Sequence, residues 1–187
     1  MAVWHKKKNL LRPSKYILEL PTQSWMLLYG AASECSNQLM AYVRSARSDD
    51  ELAEITGMSG GHTVTPRDPA IARLLPDIQH EDDEGFEGAN GLWRALNEID
   101  MAKEKLQDCV FLNNLCQEGM EEGSIAIEEN EVDSFLRALT STRLFLGMRL
   151  EHSREDREGE RWQGANEINE FFGFLMQDLL EVAYGES

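Results

Sequence analysis

Long hydrophobic runs are missing from this 187-residue chain, and no stretch of ~18 apolar residues suited to a membrane-spanning helix occurs anywhere in it. The apolar run Tyr16 to Pro21 (YILELP), which follows a basic start, is too short and too interrupted for the core of a signal peptide. The chain is therefore expected to be cytoplasmic. Cysteine is scarce: Cys35, Cys109 and Cys116 are too few and too far apart for a secreted disulfide framework, which agrees with a reducing compartment. Histidine lacks pattern, since His5, His62, His80 and His152 stand alone and none completes a Glu-x-x-His pair. That excludes helical di-iron and zincin sites. There is no Gly-x-Ser-x-Gly elbow, no Walker loop and no dinucleotide fingerprint. The sequence thus assigns no catalytic residue, no metal and no cofactor, and it reads as a protein that is not an enzyme.

Positive charge is also in short supply. The chain has 18 Lys and Arg against 34 Asp and Glu, a net charge of −16. Its basic residues are unevenly placed: Lys6, Lys7, Lys8, Arg12 and Lys15 are the charged residues of segment 1–15, leaving 13 basic against 34 acidic residues beyond it, a net −21. Such a field repels phosphate and favours basic protein partners. Any contact with DNA falls to the arm, through Lys6, Lys7, Lys8 and Arg12. Residues 1–15 read as a disordered basic arm, and 16–187 as a single domain, long enough for one core without disulfides or metals.

What is present is helical periodicity. Residues 15–21 are rich in strand formers and stop at a proline, giving a short strand ahead of a helix over 22–47. A short helix from Ser48 to about Gly57 precedes a loop, in which Gly60 and Gly61 read as a turn. Asp68-Pro69 is a helix cap with proline at the first helical position, so a short helix over 69–75 follows and Pro76 stops it. The acidic run 80–84 complements the dipole of a long helix over 85–117. After a glycine-containing break at 118–123, Ser124 to Ile127 forms a second strand, then a helix over 129–150, a charged loop over 151–161, and a last helix over 162–184. Two such short strands are unstable alone, so they are expected to pair. The fold class is mainly α: a helical bundle of about four long helices plus short helices, with a small two-stranded β element.

Two residue sets carry candidate chemistry. Cys109 and Cys116 lie seven residues apart on one predicted helix, so their Cα atoms are ~10 Å apart and cannot bridge while it is intact. A thiol switch needs Cys35, a second subunit or local unfolding. Their seam with Ala95 and Ala102 otherwise marks them as buried core residues. Arg137, Arg143 and Arg149 recur every six residues through an apolar stripe, ~600° at ~100° per residue, so they share no face and need separate partners. Arg143 lies nearest the stripe and is expected to pair with Glu98, Asp100 or Asp178. Arg137 and Arg149 are then the ones left for a partner protein.

The segments Ala70 to Asp77 (AIARLLPD), Phe135 to Leu139 (FLRAL) and Arg143 to Leu150 (RLFLGMRL), with the acidic run before the long helix, resemble the actinobacterial AosR-like family. The resemblance spans about Tyr16 to Tyr184. It implies a mostly helical regulator of oxidative-stress transcription that works with other transcription proteins and responds to oxidation. The cysteine pair with three intervening residues that marks the family's redox feature has no counterpart here, where the nearest pair has six between. The leading expectation is a regulator acting through protein partners such as a sigma factor or RNA polymerase. The alternative is a homodimeric helical interaction module without redox sensing.

Overall fold

The computed structural model describes residues 4–7, 13–46, 61–79, 86–152 and 160–185. Alternation of apolar and polar residues sets its sheet. Strand β1 (Trp4–Lys7), β2 (Lys15–Glu19) and β3 (Ser124–Glu128) form an antiparallel sheet in that order, with Trp4 opposite Leu18, Tyr16 opposite Ile127 and Leu18 opposite Ile125. The residues on one face, Trp4, Tyr16, Leu18, Ile125 and Ile127, are all buried. At about 1.5–3 kcal/mol for each fully buried large apolar side chain, that face holds the sheet against the helices.

The pairing of the strands around Tyr16 and Ser124 agrees with expectation, but the sheet has three strands, not two. Residues 4–7 correct the expectation of a disordered arm over 1–15. Trp4 is the reason: its ring meets Phe135 edge-on at a centroid distance of 5.1 Å, and its backbone N–H donates to Asp178 Oδ2 at 2.9 Å. One buried aromatic among lysines is too short a pattern for periodicity to register. His5, Lys6 and Lys7 remain exposed, with the Lys6 ammonium 5.3 Å from the centre of the Tyr16 ring.

The helices are α1 (Thr22–Ser45), α2 (Pro69–Leu74), α3 (Phe86–Trp93), α4 (Ile99–Glu122), α5 (Val132–His152) and α6 (Glu160–Tyr184). A π-helical turn, Arg94–Glu98, joins α3 to α4, and a 3-10 turn, Glu129–Glu131, leads into α5. At α2, Asp68 accepts a hydrogen bond from Ala70 N at 2.8 Å and Pro69 opens the helix, as the cap pattern predicts. The glycine break foreseen at 118–123 is displaced. Helix α4 runs on to Glu122 and ends at Gly123, whose φ of +78° suits glycine. Gly119 lies inside that helix because Trp25 sits on it: a Cβ there would fall 2.4 Å from the indole. The expected helix from Ser48 and the acidic run 80–84 lie outside the described residues, as do 153–159 of the expected charged loop.

Two cores result. At the sheet end, Trp25, Leu28 and Ala32 of α1 pack with Leu112, Leu115 and Cys116 of α4, Phe135 and Leu139 of α5, and Phe172, Leu175 and Leu179 of α6. At the other end, Cys35 and Leu39 of α1 meet Ile71, Leu74 and Leu75 around α2, Ala102 and Cys109 of α4, and Phe145 of α5. Among the described residues no helix is long and apolar enough to cross a membrane.

Candidate functional site

Helical spacing puts Cys35 on the face of α1 that meets α4, and Cys109 on the facing side of α4. Their Sγ atoms are 3.9 Å apart and share a hydrogen bond. Both side chains are fully buried. In the singly ionised pair Cys35 donates to the Cys109 thiolate, which holds Cys109 below its ordinary value, with Thr142 acting the same way. The same shared proton, and then burial, hold Cys35 above its ordinary value. Cys116 stands apart in the sheet-end core, where burial pushes its thiol up to about 12. The structure therefore brings together Cys35 and Cys109 and separates Cys116. Sequence spacing, which could judge only cysteines sharing one helix, left this pair as one option among three.

The thiols adjoin a buried polar network that sequence reasoning missed. Arg94, on the π-helical turn, donates through Nε and Nη2 to Asp77 Oδ1 at 3.0 and 2.6 Å and through Nη2 to the Leu75 carbonyl at 3.2 Å. It also pairs with Glu98, which accepts a hydrogen bond from the Tyr42 hydroxyl. Arg94 and Glu98 are 1% and 0% exposed, so each charge requires the other. The His62 ring lies 4.6 Å from that of Tyr42. Burial pushes Tyr42 up to about 12, against the opposing Arg94 charge. Opposite charges four residues apart at Arg94 and Glu98 were the available sequence signal. The π turn, which rotates both inward, was not readable.

The arginines of α5 face three different elements, as their six-residue spacing requires, but the assignment of partners is reversed. Arg137 forms a two-pronged pair with Asp108 of α4 at 2.7 and 3.0 Å, which holds its pKa above the ordinary value. Arg149 pairs with Asp68, the cap of α2, at 2.8 Å and lies 4.9 Å from the Phe145 ring centre. Neither is left free. Arg143, expected to be paired within the bundle, forms no ion pair among the described residues. Its expected partners are used elsewhere: Glu98 by Arg94 and Tyr42, Asp100 by Lys103, and Asp178 by the Trp4 N–H. The α6 surface facing Arg143 offers Gly173 and Met176 instead of a carboxylate. Of the basic residues assigned to the arm, Lys6 and Lys7 sit on β1, while Lys8 and Arg12 lie outside the described residues.

Comparison with known proteins places this chain in a family. A family model described as "Domain of unknown function (DUF2017)" matches residues 4–183. Proteins named "Oxidative stress regulator AosR" from Mycobacterium tuberculosis (strain ATCC 25618 / H37Rv) and Mycobacterium bovis (strain ATCC BAA-935 / AF2122/97) are each 34% identical over 122 residues, covering 57% of this chain and 52% of the relative. The chain thus spans about half the length of the curated relatives it matches. No solved structure matches.

Proposed function

This chain belongs to the DUF2017 family, and on that premise we propose that it is a cytoplasmic regulator of the oxidative-stress response, not an enzyme, working through protein partners in the transcription machinery. A sigma factor or RNA polymerase is the partner class, because a charge of −21 outside segment 1–15 favours a basic protein surface over DNA. The likeness to proteins named as oxidative stress regulators supports the role. The observation that carries it to this chain is the Cys35–Cys109 pair, 3.9 Å between sulfurs.

The chemistry is a two-thiol oxidation by a peroxide. The Cys109 thiolate attacks one peroxide oxygen, the O–O bond breaks, and a sulfenic acid and one water form. Cys35 then attacks that sulfur, the S–O bond breaks, and a second water leaves with both thiol protons accounted for. Bond formation needs the sulfurs to approach by roughly 1.9 Å, to the usual ~2.05 Å. It draws α1 and α4 together about two turns of α1 from Tyr42, whose hydroxyl meets Glu98 of the π-helical turn and, through Arg94, the loop holding Asp77. Because both sulfurs are buried, oxidation waits on local opening of α1 from α4.

The test is a pull-down from native cytoplasm under reducing and peroxide-treated conditions, with disulfide mapping of the bait. The expected result is a Cys35–Cys109 link and a partner set that includes transcription proteins and changes with oxidation. Cys35→Ser should abolish both changes and Cys116→Ser should preserve them. An unchanged partner set without transcription proteins overturns the proposal, and favours an interaction module without redox sensing.

A further inference from the structure

Among the described residues three arginines of the helical body have carboxylate partners: Arg94 with Asp77 and Glu98, Arg137 with Asp108, and Arg149 with Asp68. Arg143 differs. Among the described residues its Nε is buried with no hydrogen-bond partner, and its Nη1 reaches only the Met176 sulfur at 3.9 Å, a weak acceptor. The guanidinium occupies space left by the missing side chain of Gly173, whose Cβ would lie 3.2 Å away. In a chain with 34 acidic residues, a half-buried cation without a carboxylate is the exception that needs a cause.

Arg143 lines a cleft of about 290 Å³ bordered by α2, α5 and α6. Arg73 and Glu151 also line it, and neither forms an ion pair among the described residues. Leu144 and Met148 supply apolar wall, and Asn169 contributes a side-chain oxygen that is buried and unpartnered. Two orphaned polar groups of different elements thus meet in one recess.

We propose that this cleft binds a small monocarboxylate with a short apolar body. The planar guanidinium fork matches a carboxylate with two parallel N–H donors. Arg73 and Arg143 against Glu151 leave one positive charge, enough for a monoanion and short of what a phosphate dianion requires. The volume suits a small molecule at the lower end of ordinary ligand pockets. A poly-acidic peptide, which would extend beyond the cleft, is disfavoured by the chain's net charge of −16. Asn169 accepts from an N–H or O–H of the ligand, or with its amide rotated donates to the second carboxylate oxygen. Nothing in this assignment depends on the thiol pair.

The experiment uses the full chain, titrated separately with benzoate, benzamide, inorganic phosphate and a poly-glutamate peptide. Binding is measured by calorimetry and followed at the Arg143 Nε–H resonance, assigned by its loss in Arg143→Lys. Benzoate is expected to bind saturably and at least ~10-fold tighter than its uncharged amide, reflecting charge-assisted hydrogen bonds. Arg143→Lys should weaken it ~10-fold by removing the bidentate fork. Glu151→Gln, which disrupts no ion pair among the described residues, should tighten it roughly 3-fold by removing a like charge. Equal binding of benzoate and benzamide, tighter binding of phosphate or of the peptide, or indifference to Glu151→Gln overturns the assignment. The Glu151 variant keeps the test decisive if Arg143→Lys fails to fold.

Discussion

The two ends of the helical bundle solve the burial problem differently. The sheet end is apolar: Trp4, Trp25, Phe135, Phe172 and their neighbours close over the inner face of three strands, and its thiol Cys116 is buried, with burial pushing it up to about 12. The other end buries chemistry. Within reach of the short helix α2 it holds the Cys35–Cys109 pair, the Arg94–Glu98–Tyr42 network and the Asp68–Arg149 pair, and the cleft around Arg143 borders it. Apolar packing stabilises without specifying a response. Buried charge and thiols stabilise only while each partner stays in place, so the second end is where a small chemical change has structural consequences.

The sharpest way to break this contrast is to remove one member from each end. Trp4→Ala should cost about 3–5 kcal/mol, as an aromatic cavity does, measured as a fall in urea midpoint with loss of the sheet. Glu98→Ala should cost less, about 2–3 kcal/mol, for a different reason, because the buried Arg94 charge then keeps only Asp77 of its two carboxylate partners. Replacing Arg94 and Glu98 together with apolar residues should recover much of that loss. If the single Glu98 variant is harmless, the second end is not held by its ion network.

A weaker effect separates the ends by pH. Buried Cys116 and half-buried Tyr42 are both held in their neutral forms, pushed up to about 12 from ordinary values of 9.0 and 10.0. Their raised folded-state pKa values mean that the folded chain holds these protons more tightly than the unfolded chain. Their stabilisation is complete below pH 9 and is lost as pH rises towards 12. Cys116→Ala should remove the part of that alkaline decline belonging to the sheet end, and Tyr42→Phe the part belonging to the other, read from denaturation midpoints across that range. The smallest change is expected at Arg137, which is 60% exposed. Arg137→Ala should shift stability by no more than ~1 kcal/mol despite its two-pronged geometry, and the shift should fade in high salt.

Much of the fold was legible because it follows local rules. The cap at Asp68-Pro69 announced α2, the strand formers at 15–21 and 124–127 announced their pairing, and apolar spacing announced the long helices. Trp4 was hidden because a single apolar residue in a basic run has no period. The candidate site was less legible. Cysteine spacing on one helix excluded Cys109 with Cys116, yet only the packing of α1 on α4 selects Cys35. Six-residue spacing fixed that the α5 arginines diverge, but partner identity depended on which side chains the neighbouring helices presented, and expectation placed the orphan at Arg137 and Arg149 instead of Arg143.

The sequence by itself determined the mainly helical class, the approximate places of the long helices and of β2 and β3, the net charge of −16, and the family membership. These follow from neighbours along the chain and from composition, which do not depend on packing. Tertiary structure alone decided that two thiols 74 residues apart share a hydrogen bond, that a π-helical turn aims Arg94 and Glu98 into the core, and that Arg143 faces a glycine and a methionine. Those outcomes depend on the relative rotation of packed helices, where ~100° per residue separates a paired charge from an orphaned one.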